Sequence, residues 1–339
     1  MILVTGGTGL IGAHLLYKLV SEGETVRAIY RRQKKLKLVE QLFCLYSEDA
    51  NLLYNKIDWV EADLNDIPSL ERAFEGVTTV YHLAAFVSFE PDKYQLLRKI
   101  NIEGTANIVN IAISNKVEKL CYASSVAAIG QEVAEGDPIT EESPWSTEKD
   151  HNVYAISKYG AEKEVWRGTQ EGLDAVIVNP GVVIGPGFWK SGSSGSLITK
   201  VHKGVKYYTT GSTGYIDVID LVEVMTFLMK SEIKNERYIL VSENLTFKQF
   251  LNHITKGLGI PPPSKKANKT LLEIGWRLDW LAKKLIGKRR SLTKQLTESL
   301  TTLSNFDNSK IKRIYPHEFK PMKVSIKETV EKYKKDFRD

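Results

Sequence analysis

The chain opens with a short apolar run, Ile2-Leu3-Val4, that passes directly into Thr5-Gly6-Gly7-Thr8-Gly9-Leu10-Ile11-Gly12, after which a helical pattern follows. Gly7, Gly9 and Gly12 keep the G-x-G-x-x-G spacing. Glycine lets a strand turn tightly into a helix and lets backbone amides approach a phosphate with no Cβ in the way. Those amides sit at a helix N-terminus, where unpaired N–H groups and the dipole favour anions. A glycine triplet alone is weak evidence; the strand before it and the helix after it supply the context the chemistry needs. The expectation is a dinucleotide-binding turn in which Thr5, Gly6, Gly7, Thr8, Gly9, Leu10, Ile11 and Gly12 wrap the pyrophosphate.

The rest of the first half repeats that logic. Short apolar segments at Ile2–Val4, Thr25–Tyr30, Ile57–Glu61, Thr79–His82, Lys119–Ala123 and Ala175–Asn179 read as strands buried on both faces. Helical patterns lie between them, at Leu10–Ser21, Ser69–Phe74, Ile102–Asn115 and Val153–Gln170. Alternating strands and helices predict an α/β fold, a doubly wound parallel Rossmann sheet. After Pro180 the sequence turns to Gly, Pro and Ser, which marks loops able to approach a ligand. The predicted organisation is a cofactor domain over 1–180, with part of 205–245 returning to it, and a smaller substrate lobe over most of 181–339.

Composition narrows the class. Hydrophobic residues make up 42% of the chain and charged residues 26%, the balance of a globular protein with a sizeable core. The two cysteines, Cys44 and Cys121, are too few for a disulfide framework or a metal site, so no metal is expected. No run of about 18 apolar residues appears, and no signal peptide is visible, which points to a reducing, cytoplasmic compartment. The net charge of +6 is local: Pro261 to Leu300 holds ten Lys/Arg against three Asp/Glu. No nucleic-acid motif accompanies that charge, so nucleic acid is not an expected partner.

The choice of cofactor is read at the end of the second strand, about 20 residues past the glycines, where an acid would bind a ribose 2′-hydroxyl. Tyr30-Arg31-Arg32 stands there instead. Arginines pair with a 2′-phosphate, so NADP is favoured and NAD is the alternative; solvated loop charges are the plainer explanation of the pair. Asp63-Leu64 ends the third strand near the expected adenine edge, although Asp63 also suits a helix N-cap. Leu83-Ala84-Ala85 ends the fourth, where small residues let the backbone pass close to a cofactor.

Tyr154-Ala-Ile-Ser-Lys158 places a phenol and an ammonium on one face of a predicted helix. An unperturbed tyrosine titrates near about 10, and a neighbouring cation is expected to lower that value and make proton exchange with a carbonyl or hydroxyl practical. Ser124 and Ser125 end the fifth strand, where a hydroxyl can hold a substrate oxygen.

These motifs, in this order, resemble the extended short-chain dehydrogenase/reductase (NAD-dependent epimerase/dehydratase) family. Thr5-Gly6-x-x-Gly9-x-x-Gly12, Ala62-Asp63-Leu64, His82-Leu-Ala-Ala85, Asn101-Ile-Glu-Gly-Thr105, Ser124-Ser125, Tyr154-x-x-x-Lys158 and Asn179-Pro-Gly-Val-Val-Ile-Gly-Pro186 carry the resemblance over most of the chain. It implies Ser125, Tyr154 and Lys158 as the catalytic set, with Tyr154 as acid/base and Lys158 on the nicotinamide ribose. Asn101, Ser124, Pro180, Gly181 and Val183 join the implied cofactor contacts. Within the family, Val178 to Gly187 is similar to dihydroflavonol-4-reductase-like and 3β-hydroxysteroid-dehydrogenase-like members.

That branch implies an oxidoreductase that moves hydride between NADP and a small-molecule carbonyl or alcohol. The alternative is a nucleotide-sugar epimerase or dehydratase that keeps its cofactor bound. Asp217 stands where sugar-nucleotide members carry a His beside the diphosphate, and a carboxylate suits a diphosphate poorly. A cofactor-sensing regulator is a third reading, against which the intact Ser125/Tyr154/Lys158 set argues. Substrate loops are expected at Phe86–Tyr94, Ala128–Asp137 and Phe188–Ser196, where Phe86, Phe89, Phe188 and Trp189 fit an apolar or ring-shaped ligand or serve as packing. The Trp-containing basic segment 265–290 reads as a helical lid over the substrate, with contact to an anionic membrane surface as the alternative. The oligomeric state stays open; the resemblance implies the helix Val153–Gln170 as the face that would pair in a possible homodimer.

Overall fold

The computed structural model describes residues 1–130, 136–148, 150–190, 194–286 and 292–337. In chain order its strands are β1 (Ile2–Thr5), β2 (Val26–Tyr30), β3 (Asp58–Glu61), β4 (Thr79–His82), β5 (Lys119–Ala123), β6 (Ala175–Pro180), β7 (Val182–Ile184), β8 (Tyr207–Tyr208), β9 (Ser212–Asp217), β10 (Glu236–Leu240), β11 (Glu243–Thr246) and β12 (Lys265–Lys266). Seven of them form one sheet in the order β10-β6-β5-β4-β1-β2-β3, every neighbouring pair parallel. The fold is therefore an α/β Rossmann architecture.

Both faces of the sheet are covered, which is why its strands read as apolar runs. On one face Val4, Tyr81, Cys121 and Val178 pack against the helices Leu10–Ser21, Leu36–Cys44 and Val218–Lys230. On the other, Leu3, Val80, Leu120 and Ile177 meet the helices Ile67–Phe74, Gly104–Ser114 and Val153–Gln170. Burying one such Leu or Ile side chain stabilises the fold by roughly 1.5–3 kcal/mol before entropy is counted. Cys121 belongs to this core, and Cys44 lies exposed.

The chain order reverses between β1 and β4, the switch point at which open parallel sheets leave a crevice beyond their strand ends. Every expected site segment follows a strand there: Gly6 after β1, Arg31 after β2, Asp63 after β3, Leu83 after β4, Ser124 after β5 and Gly181 after β6. β10, at the far edge, pairs with β6 from Glu236↔Val176 to Leu240↔Pro180.

Beyond β6, the small sheet β11-β9-β7 carries a separate core. Tyr215, Phe250, Ile254, Met322, Ile326 and Tyr333 gather there from β9 and from the helices Phe247–Leu258 and Met322–Asp336. The helix Lys269–Ile286 is packed differently, with only Leu272 buried. Among the described residues no helix is long and apolar enough to cross a membrane.

Candidate active site

The glycine turn is close-packed against itself and against β4. Gly6 has a φ of +72°, and a Cβ on it would come 2.6 Å from the Ala84 amide nitrogen. A Cβ on Gly12 would come 2.3 Å from the Gly6 carbonyl oxygen, so the first helical turn can sit on the loop only if position 12 is bare. Gly9 is the N-cap of the helix Leu10–Ser21 and no side chain caps it. The first-turn amides therefore have no intrahelical acceptor and face outward as anion donors. Thr8 lies partly exposed on the turn, and Gly7 packs on Leu16 and Ala28.

A cavity of about 820 Å³ opens beside this turn, lined by Gly6, Gly9, Leu10, Ile11, Gly12 and Leu83 on one side and Val182, Val183 and Ser194 on another. The Ser194 hydroxyl is buried with no hydrogen-bond partner. An uncapped helix end, a cradle that any Cβ would fill and an unused hydroxyl fit a dinucleotide pyrophosphate. Deeper in the sheet the Asn179 side-chain oxygen is also buried without a partner, while its amide donates to Ser125 O at 3.0 Å. Gly181 follows Pro180 and donates its amide to Leu240 O at 3.1 Å.

Around the turn, the other expected cofactor residues hold different positions. Arg31 and Arg32 are exposed at the end of β2, and Arg31 reaches Asp63 at 3.6 Å. Lys35, absent from the sequence reading, completes the cluster; partial burial and then the charges of Arg31 and Arg32 push its pKa down. Asp63 caps no helix, and instead accepts the Asn65 amide at 3.0 Å in a local turn. Leu64 is buried, with its carbonyl bound by Asn107 at 2.8 Å. Ala85 is exposed. Asn101, inside the π-helical turn Arg98–Glu103, clamps the loop after β4: it accepts from Phe86 N at 2.7 Å and donates to Phe86 O at 2.9 Å.

Ser124 and Ser125 point to different tasks. The Ser124 hydroxyl donates to the buried Glu162 carboxylate at 2.6 Å. Glu162 also accepts from Asn179 at 2.9 Å and Arg237 at 3.0 Å, making a polar hub behind the site that sequence reasoning missed. The Ser125 hydroxyl accepts from Ala127 N at 3.1 Å and lies close enough to the Tyr154 phenol to draw its pKa down. Tyr154 opens the helix Val153–Gln170, whose N-cap Asn152 accepts the Ala155 amide at 2.8 Å.

One expectation fails here. Burial pushes the Tyr154 phenol up to about 12, and Ser125 only partly offsets it. The reason lies in Lys158, whose ammonium is engaged by other partners. It is 1% exposed and donates to Tyr122 Oη at 2.6 Å and Ala123 O at 2.8 Å. Burial lowers its own pKa to about 7, against the opposing pull of Glu162. In this state Tyr154 is a neutral phenol, the form that donates a proton.

On the substrate side, Phe89 meets the Tyr154 ring edge-on at 5.5 Å and lines the cavity. Phe188 and Trp189 do not join it. Phe188 is in the main core, and the Trp189 indole donates to Asp336 at 2.5 Å while packing on Tyr333. Asp217 is likewise internal: it caps the helix Val218–Lys230 through Ile219 N at 2.8 Å and accepts from Ser325 at 2.6 Å. It is a fold residue and carries no information about a diphosphate. Lys200, Thr293 and Leu296 complete the cavity wall. The helix Lys269–Ile286 is tethered to the Phe89 side by Lys283 and Asp92 at 2.8 Å. Residues 131–135 and 191–193 of the expected substrate loops, and Lys288, Arg289 and Arg290 of the basic segment, lie outside the described residues. Among the described residues no cluster could hold a metal ion.

The sequence profile of the NAD dependent epimerase/dehydratase family matches residues 2–240. A Synechocystis sp. protein that carries the provisional name dihydroflavonol 4-reductase is 32% identical over 288 residues, covering 84% of this chain and 79% of that protein. Sterol demethylase protein B of Methylococcus capsulatus is 31% identical over 264 residues, covering 77% and 75%. The crystal structure of gox2253 superposes with a TM-score of 0.82 at 27% identity, covering 100% of this chain and 99% of that one.

Proposed function

The chain belongs to the NAD dependent epimerase/dehydratase family, and from that premise we propose that it is an NADPH-preferring oxidoreductase interconverting a carbonyl and an alcohol on an apolar, ring-bearing small molecule. The observation that carries this reading is Tyr154 next to Ser125, its ring met edge-on by Phe89, which lines the glycine-turn cavity. The dinucleotide, when bound, supplies or accepts the hydride. Tyr154, held neutral by burial, gives its proton to the developing alkoxide, and Ser125 holds that oxygen in place. Lys158 binds the ribose. Thr5 to Gly12 receive the pyrophosphate, and Asp63, Leu64, Leu83, Ala84, Ala85, Asn101, Ser124, Pro180, Gly181 and Val183 shape the rest of the cofactor channel.

Two further observations support the details. Arg31, Arg32 and Lys35 gather positive charge beside Asp63, which favours a 2′-phosphate. Both named relatives carry names that refer to ring-bearing small molecules, a dihydroflavonol and a sterol, the class suited to Phe89. The test is to follow oxidation of NADPH and of NADH with a panel of cyclic ketones. NADPH-dependent turnover that Tyr154→Phe abolishes is the expected result. A second reading, an epimerase or dehydratase, is favoured by the family match itself. Native mass spectrometry separates the two: a dinucleotide retained through purification supports the second, and an empty protein that takes up NADPH supports the first.

A further inference from the structure

Buried polar contacts lead from the phosphate turn toward the lysine. Thr5 Oγ1 accepts from Leu83 N at 3.1 Å and from Ala84 N at 3.2 Å. Both of its lone pairs are then taken, so its proton goes to His82 Nδ1, 2.7 Å away. The neutral His82 ring must carry its proton on Nε2, which lies 2.9 Å from Thr105 Oγ1. Thr105 in turn draws the Tyr122 phenol's pKa down, against the larger effect of burial. Lys158 lies on the other side, 2.6 Å from the phenol oxygen, and donates to it.

The packing gives this line no slack. Thr5, His82, Thr105, Tyr122 and Lys158 are each at most 1% exposed. The His82 and Tyr122 rings stack at 5.4 Å, and the lysine nitrogen also lies 4.3 Å from the Tyr122 ring centroid. Phenylalanine would fill the same space in β5, so the hydroxyl is not there for packing.

We propose that Tyr122 is a positioning residue, whose phenol oxygen, on a ring stacked against His82, fixes the Lys158 ammonium at the end of β5 and keeps it charged. Its role toward the cofactor rests on the reading of Lys158 as a ribose ligand; its hold on the lysine does not. The ionisable groups around that ammonium are few. From β4 comes His82, which burial and the lysine charge hold neutral, near about 3. From β5 comes Tyr122, pushed well above its ordinary value and so a phenol. On the lysine's own helix stand Tyr154, also a phenol, and Glu162, whose charge favours the ammonium but is shared with Ser124, Asn179 and Arg237. Removing the Tyr122 hydroxyl withdraws a direct acceptor from a desolvated cation, which destabilises the charged form.

The test reads the lysine itself. In cofactor-free protein labelled with ¹⁵Nζ-lysine, the Lys158 signal, identified by its loss in Lys158→Met, is followed by NMR against pH. The wild-type midpoint is expected at about 7. Tyr122→Phe should move it down by about one unit or more, the size expected for a lost hydrogen bond to a charged group. Thr105→Val should move it in the same direction by less, and covers the case in which Tyr122→Phe fails to fold. An unchanged midpoint in the folded variants overturns the proposal. A second arm titrates NADPH into the same proteins: Tyr122→Phe should weaken binding several-fold at pH 8 and little at pH 6. If the NMR shift appears but wild-type protein binds neither NADPH nor NADH, the functional reading falls and Tyr122's hold on the lysine stands.

Discussion

The end of β5 and the helix Lys269–Ile286 are built on opposite terms. At β5, Lys158, Tyr122 and Glu162 are buried, and each charged or hydroxyl group has a named partner within the protein. In the helix, Leu278 is 61% exposed, Leu285 71% and Ile286 76%. Leu271, Ile274, Leu278, Leu281 and Leu285 recur at spacings of three and four, one apolar stripe left largely in solvent. A reaction centre must hold atoms within a fraction of an ångström, so it is over-determined by bonds. The helix Lys269–Ile286 is held by few bonds. We propose that the contrast separates chemistry, set by the sheet, from selectivity, left to this helix as a lid.

Substitutions in the two regions should therefore fail in different ways. The largest effect is expected from Tyr154→Phe: about a thousand-fold or greater loss of turnover, with NADPH affinity within about two-fold of wild type in a fluorescence titration. Next comes the hub behind the site. Glu162→Gln leaves Arg237 without its buried countercharge, and a loss of about 3 kcal/mol is expected in chemical denaturation. Arg31→Ala with Arg32→Ala should reduce the NADPH preference over NADH by roughly ten-fold, read as a ratio of dissociation constants, with NADH binding little changed. The smallest effect belongs to the lid. Leu278→Gln should shift stability by no more than about 0.5 kcal/mol, and should raise KM for an apolar ketone while kcat holds. A lid substitution that instead removed kcat would erase the distinction between the regions.

Much of this was legible in the amino-acid order. The helices Leu10–Ser21 and Val153–Gln170 and the strands Thr79–His82 and Lys119–Ala123 have the limits that periodicity, glycine and turn residues predict, because local signals determine them. β10 is harder to read: its register is set by β6, some 60 residues away in the chain as Asn235 and Ala175 meet, and no local cue records that pairing. Tyr122 was hidden for a related reason. In Lys119-Leu-Cys-Tyr-Ala123 it reads as one more strand residue, and only the fold shows that its hydroxyl meets Lys158. The expected lowering of the Tyr154 pKa failed because helical spacing says that two side chains share a face, not where a long one ends. Phe188, Trp189 and Asp217 are internal: Phe188 joins the main core, while Trp189 and Asp217 are bound by the helix Met322–Asp336 that arrives last in the chain.

The buried ammonium has a consequence for the fold as a whole. An unfolded chain leaves Lys158 near about 10.4, whereas the folded protein holds it at about 7. Between those values the unfolded state binds the extra proton, so this group makes stability rise with pH across that window; below about 7 its full penalty applies. The folded, cofactor-free protein is thus held under a tension that a bound ligand can relax, and saturation with a dinucleotide should raise the melting temperature more at pH 6 than at pH 9. A protein built this way senses its own loading: the cation that makes it ready for the cofactor also makes it less durable without one.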